Sequence, residues 1–290
     1  MKIVKKAFSL IELSIVMLII GIIIAGVTSG SVLVKKMRLE TAKQLTKDSP
    51  AHSIPELSLW YESTLDESFI DSQIEDDAYV TTWHDINSQT NNKNDATRAT
   101  ADNSITYQSS AVNHLPALFF NGTASVNAFL SANVLPTDGG QFVIFLVIQS
   151  TDPNSANVRS VFMNGNSGTN GYGYFKISSG NRAVLFAGIA LNDTVSANST
   201  ANPEIIKIIA DNSAPVAMYV NGVVQTLNAP VVSFNSPISP ALYIGNSSAL
   251  GTEPWQGYIA EIIAYERNLK PQEITDIENY LSRKYQITLN

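Results

Sequence analysis

The residues with the most suggestive chemistry lie within the first twelve positions: Lys5-Lys6-Ala7-Phe8 and Glu12. A small residue directly behind two lysines offers a peptidase a place to cut, and cleavage between Ala7 and Phe8 would create a new amino group close to a carboxylate. Glu12 stands at the mouth of an uncharged, mostly apolar run from Leu13 to Val34. A carboxylate so placed is costly to bring into lipid, which marks it as functional and calls for a cationic partner. The freed amine of Phe8 is the partner proposed from these residues. An ordinary secretory signal carries its small residues after a shorter apolar region. Here cleavage would remove only the basic leader and leave the apolar helix in place.

Other reactive side chains do not converge. The three histidines, His52, His84 and His114, are scattered, and with no cysteine they form no metal-ligand pattern. No G-x-S-x-G turn accompanies them. Hydrolysis of a glycosidic bond needs two carboxyl groups about 5 to 9.5 Å apart. Glu75-Asp76-Asp77 is contiguous and reads as a solvated loop, while Glu261 stands alone in its strand. The sequence therefore predicts no catalytic residue and no enzyme. Asp85, Asn92, Asn94 and Asp95, and separately Asp138, Asn164 and Asn166, offer hard oxygen ligands, but neither group has an EF-hand spacing. Turn formation explains them equally well, so no metal site or cofactor is assigned, with calcium kept as the alternative. Trp60, Trp83 and Trp255 could stack on sugar rings, but their apolar neighbours place them in a core.

Around these residues the chain must supply a membrane segment and a large folded body. The roughly 22 residues of the apolar run would span about 33 Å as a helix, close to the ~30 Å of a bilayer core. Lysines lie on both sides of it, so charge alone does not orient it. The helix continues in polar form to about Lys47 and stops at Asp48-Ser49-Pro50. The expected organisation is a leader at 1–7, a helix at 8–48 with a membrane span at about 13–34, and a β-rich domain at 49–290. That domain shows short apolar runs separated by Gly, Asn, Ser, Asp and Pro, the pattern of an antiparallel sandwich. Expected strands include Leu57 to Tyr61, Ala117 to Asn121, Gln141 to Gln149, Val158 to Met163, Ile205 to Ala210 and Tyr258 to Tyr265. Asn221-Gly222 predicts a tight hairpin between Ala217 to Val220 and Val223 to Thr226. After Pro271, Ile274, Ile277, Leu281 and Tyr285 recur at helical spacing, so one short helix closes the chain. The 290-residue chain carries a net charge of -7 with 15% charged residues, which argues against nucleic acid as a partner.

Two resemblances sharpen this reading. Lys5-Lys6-Ala7 followed by Phe8-Ser9-Leu10-Ile11-Glu12-Leu13 resembles the class III signal of type IV prepilins and pseudopilins. The resemblance implies cleavage by a prepilin peptidase between Ala7 and Phe8, N-methylation of Phe8, and pairing of Glu12 with the terminal amine of a neighbouring subunit. Ala7 replaces the commoner glycine, and the proline often found in the pilin helix is missing. Separately, Leu59-Trp60-Tyr61, Val80 to Asp85, Leu115 to Gly122 and above all Trp255 to Leu269, with the helix ending Tyr280 to Tyr285, resemble concanavalin A-like (laminin G-like) jelly rolls. That likeness implies two antiparallel sheets and a role in binding carbohydrate or protein.

The fold expected is thus mainly β: a long pilin-type helix, its N-terminal half transmembrane, then a concanavalin A-like sandwich with a short C-terminal helix. The function expected is a non-enzymatic pilin-like subunit, a minor pilin, incorporated into a filament and displaying its head for adhesion. The alternatives are a pseudopilin of a type II secretion system and a membrane-anchored glycan hydrolase. Expected partners are the prepilin peptidase, other pilin subunits, an inner-membrane assembly platform and a surface glycan or protein. The protein would begin in a bacterial inner membrane and end at the filament or cell surface, its C-terminal domain outside the cytoplasm.

Overall fold

The computed structural model describes residues 10–98, 104–123, 129–131, 141–165, 172–176, 181–186, 189–192, 200–211, 214–228, 242–247 and 253–290. The chain divides into two compact units, Met1–Thr41 and Ala42–Asn290.

Helix α1 runs over Leu10–Lys47. From Leu13 to Ile24 its surface carries no charge and is mostly apolar: Leu13, Leu18, Ile22, Ile23 and Ile24 are each exposed to at least 58%. A helix without a polar face has no side suited to water and must be covered by lipid or by other apolar surfaces. Among the described residues no helix is long and apolar enough to cross a membrane. The span expected at 13–34 includes residues 25–29, whose side chains lie outside the described set. The last turns of α1 belong to the second unit, where Ala42 and Thr46 are buried. The helix ends where Ser49 accepts a bond from the Ala51 amide, opening a 3-10 turn at Pro50–His52.

Among the described residues, sixteen strands, numbered in chain order, build two eight-stranded sheets in the second unit. The first sheet holds β1 (Leu57–Glu62), β4 (Ile105–Val112), β5 (Leu115–Asn121), β7 (Phe142–Ser150), β12 (Glu204–Asp211), β13 (Ala214–Val220), β14 (Val223–Val224) and β16 (Gln256–Tyr265). Its order is β14-β13-β12-β7-β16-β5-β4, with β1 also on β16. The second sheet holds β2 (Thr82–Trp83), β3 (Ala96–Thr97), β6 (Phe129–Ser131), β8 (Arg159–Asn164), β9 (Tyr172–Lys176), β10 (Arg182–Phe186), β11 (Ile189–Asn192) and β15 (Leu242–Ile244), in the order β11-β10-β9-β8-β15-β6-β3-β2. Every registered pair is antiparallel, as expected. Strands β4, β6, β11 and the short β2 and β3 were not foreseen, and β14 ends at Val224, two residues sooner than expected.

Alternation along β7 shows why seven consecutive residues, Phe142 to Ile148, are buried. Phe142, Ile144, Leu146 and Ile148 face the second sheet with Leu59, Tyr61, Trp83, Phe162, Tyr174 and Ile206. Val143, Phe145 and Val147 point the other way, into a second core with Trp60, Ile263 and Tyr265. That outer core is closed by helix α2 (Pro271–Tyr285), through Ile277, Tyr280, Leu281 and Tyr285. A strand buried on both faces reads as a continuous apolar run rather than an alternating one.

Helix α2 starts at Pro271, where the missing amide hydrogen is harmless. Glu273 accepts the Lys270 amide at 2.7 Å and is gripped by Arg267 through two bonds of 2.9 Å. Gln286, in the left-handed region at φ 53°, ends the helix.

Candidate functional site

Ala7 and Phe8 lie outside the described residues. Glu12 falls in the first turn of α1, where a carboxylate faces the positive end of the helix dipole. It is exposed in the isolated chain, beside Leu10 and Ile11 at 83% and 69% exposure.

The densest chemistry lies elsewhere, beneath α2. Antiparallel pairing sets Glu62 of β1 directly opposite Glu261 of β16. Lys284, one helical step from Tyr280 and Leu281 on the buried stripe of α2, places its Nζ 2.8 Å from each carboxylate. All three side chains are fully buried. Glu62 also accepts from the Thr64 amide and hydroxyl, the Leu65 amide and the Ser68 hydroxyl, at 2.6 to 2.8 Å. Glu261 accepts from Trp60 Nε1, Tyr280 Oη and Tyr285 Oη at 2.8 to 2.9 Å. Burial alone would raise Glu62, but the Lys284 charge and these donors hold it below the usual carboxylate range. Burial lifts Glu261 above that range, and the Glu62 charge adds to the lift against the pull of Lys284. Burial disfavours the Lys284 ammonium, yet two carboxylates outweigh it and raise its pKa.

Glu261 is the one carboxylate of β16, as the sequence reading has it, but the neighbouring strand β1, distant in sequence, supplies a second opposite it. The pair still lacks what hydrolysis needs. Each carboxylate oxygen is occupied by donors from the protein, and Lys284 fills the space where a scissile bond would sit. The cluster ties β1, β16 and α2 together, and Thr46 of α1 joins it through a 3.3 Å contact with Tyr280 Oη.

The oxygen-bearing side chains weighed as calcium ligands also have structural work. Asp85 is buried, and its carboxylate accepts the amides of Trp60, Asn87 and Asn94 at 2.9, 3.0 and 3.2 Å. Burial raises its pKa against those bonds. Asp95 accepts the Asp85 amide at 2.9 Å and meets His84 Nδ1 at 2.8 Å. Such amide-filled oxygens form turns rather than an ion cage. Among the described residues no group of three His, Cys, Asp or Glu side chains could hold a metal. Asn164 is buried at the end of β8, and Asp138 and Asn166 lie outside the described residues.

The histidines remain apart. His52 Nδ1 pairs with Ser88 Oγ at 2.9 Å and its ring lies 4.7 Å from that of Trp60, while His114 is an exposed hairpin residue at φ 65°. All three tryptophans are fully buried, so none offers a face to a sugar. An open pocket of about 460 Å³ lies between the end of α1 and α2, lined by Leu45, Asp48, Pro50, Asp276, Asn279 and Arg283 among others.

Two known families match parts of this chain. Residues 4–28 match the prokaryotic N-terminal methylation motif, and residues 153–275 match the concanavalin A-like lectin/glucanases superfamily. The chain thus carries a prepilin-type signal and a concanavalin A-like, laminin G-like domain. No curated protein matches it. Among solved structures it is similar to a Trypanosoma rangeli sialidase in complex with sialic acid, at TM-score 0.54 and 15% identity over 82% of this chain and 34% of that one. It is also similar to the same organism's sialidase in complex with a difluoro-KDN, at TM-score 0.51 and 14% identity over 90% of this chain and 41% of that one. The chain therefore spans well under half the length of those enzymes, and at such identity the likeness is one of fold.

Proposed function

We propose that this chain is a non-enzymatic minor pilin, cleaved between Ala7 and Phe8 by a prepilin peptidase, methylated at Phe8 and assembled with other pilin subunits. The observation that carries the proposal is a methylation motif joined, in one chain, to a lectin-type sandwich. The leader is 1–7, and the span at about 13–34 holds the subunit in the inner membrane until an assembly platform adds it to a filament. The exposed apolar surface of α1 from Leu13 to Ile24 supports a helix that lives in lipid first and among other stems later. In either setting Glu12 is tolerable only when paired, because an unpaired buried charge costs far more than a neutralised one. The amine of Phe8 on a neighbouring copy neutralises it. The 49–290 region is then displayed outside the cytoplasm for adhesion to a surface glycan or protein.

A non-catalytic head is supported by the closure of the Glu62–Glu261 pair around Lys284. The test is incorporation. Glu12→Ala should be processed normally yet be absent from sheared filaments that contain the wild-type subunit. Equal recovery of both in the filament fraction would contradict the proposed pairing.

A further inference from the structure

The open pocket of about 460 Å³ between the end of α1 and α2 joins an apolar floor to a charged rim. Leu45 and Pro50 line it beside the buried Tyr280, while Asp48, Asp276 and Arg283 supply its charges. Asp48 accepts the Gln44 side-chain amide at 2.7 Å and Asp276 that of Gln272 at 2.7 Å, both neutral donors one helical turn away. Among the described residues neither carboxylate is paired with a cation, and the exposed Arg283 guanidinium has no partner. Asp276, Tyr280 and Arg283 recur at helical spacing, so they share the face of α2 that looks into the pocket.

The complement to this surface lies on α1 itself. Leu33, Lys36, Met37 and Glu40 recur at intervals of three and four, which puts them on one helical face. All four are exposed, Leu33 to 58% and Met37 to 61%. Met37 lies beyond the span expected at 13–34, so lipid does not cover it, and an apolar side chain left among charges calls for a protein surface. The signs match. Lys36 fits between Asp48 and Asp276, and Glu40 reaches Arg283. Met37, flexible and polarisable, suits an irregular floor of Leu45, Pro50 and the Tyr280 ring. The helical rise separates positions 36 and 40 by about 6 Å and positions 276 and 283 by about 10.5 Å, a difference that the long Lys, Glu and Arg side chains absorb.

We propose that the groove between the end of α1 and α2 receives the stem segment 33–40 of a second copy of this chain. The proposal rests on the subunit reading and names one contact of the assembly. It is separate from the pairing of Glu12 with a terminal amine. Positions 36 and 48 lie about 18 Å apart at the helical rise, whereas 8 and 12 lie about 6 Å apart. The groove therefore engages a copy further along the filament than the one that supplies the Phe8 amine.

The chain has no cysteine, so introduced thiols report the contact without background. Met37→Cys and Asn279→Cys, the latter on the pocket wall, are carried on differently tagged full-length copies, co-expressed and treated in sheared filaments with a short bismaleimide. A dimer bearing both tags should form, and raised salt should lower its yield. Asp276→Lys with Arg283→Glu on the Asn279→Cys copy should cut the yield about tenfold at an unchanged melting temperature. Lys36→Glu with Glu40→Lys on the Met37→Cys copy should then restore it. Absence of the dimer, a yield unchanged by the reversal, or linkage of the Asn279→Cys copy to a different protein instead would overturn the contact. Recovery of both tagged copies in filaments without a dimer defeats the groove alone; absence of both from filaments defeats the subunit reading on which it rests.

Discussion

Replacing Lys284 by methionine tests the energetic logic of the head. The side chain keeps its volume, but the ammonium disappears and with it two charge-assisted bonds of 2.8 Å, to Glu62 and Glu261. Bonds to charged groups contribute about 1.5 to 3 kcal/mol each, and removing one partner of a buried ion pair costs about 3 to 5 kcal/mol. Both routes converge on a loss of about 3 to 5 kcal/mol, since the seven remaining donors to the carboxylates still solvate them. For a domain of this size each kcal/mol lowers the melting temperature by roughly 2 to 4 °C, which gives a drop of roughly 6 to 20 °C. The deficit should depend on pH. Glu261 already holds its proton above the usual carboxylate range, and removing the ammonium lifts it further. The folded variant then binds a proton that the unfolded chain releases, so its stability falls as pH rises through the region between the two pKa values. Thermal melts at pH 7 and pH 5 should show the gap between variant and wild type narrowing at pH 5. A loss below about 1 kcal/mol, or a gap that widens on acidification, would refute the reasoning.

Further perturbations probe separate parts of the account. Wild type itself should lose stability in alkali as pH passes the raised pKa of Lys284, because the charge attraction is present below the ordinary lysine value and disappears above the folded one; in acid it should lose the Glu62 contribution as pH falls through its lowered pKa. Gly245→Ala should destabilise by roughly 2 to 5 kcal/mol in urea titration, since Gly245 sits at φ 84° and a Cβ there would lie 2.1 Å from the buried Phe120 ring. Trp60→Phe keeps the packing but removes the donor to Glu261, which should cost about 1 to 3 kcal/mol by the same titration. EDTA should leave the melting temperature unchanged, because backbone amides already occupy Asp85; a drop would point to an ion in the loop.

Local signals in the sequence placed much of this fold. The Asn221-Gly222 hairpin forms with φ of 48° and 83°, and the Asn221 side chain also accepts the Ile205 amide at 2.8 Å. The stripe of Ile277, Leu281 and Tyr285 packs as its spacing predicts. Strand β4 escaped notice because Gln108, Ser109 and Ser110 dilute its apolar pattern, and its pairing with β5 is interrupted between Gln108 and Val112. Strands β2 and β3, of two residues each, are too short to show any period. The Glu62–Lys284–Glu261 cluster escaped for a different reason: Glu62 lies 222 residues before Lys284 and meets Glu261 only through the β1–β16 pairing. One clue was present. Lys284 lies three residues beyond Leu281 on an otherwise apolar stripe, and a charge at such a position implies a buried partner.

The central claim concerns the beginning of the mature chain, and intact mass with N-terminal sequencing of protein purified from membranes addresses it most directly. Our account predicts a polypeptide starting at Phe8 and carrying one added methyl group on its terminal nitrogen. A mature chain that still starts at Met1 would contradict it.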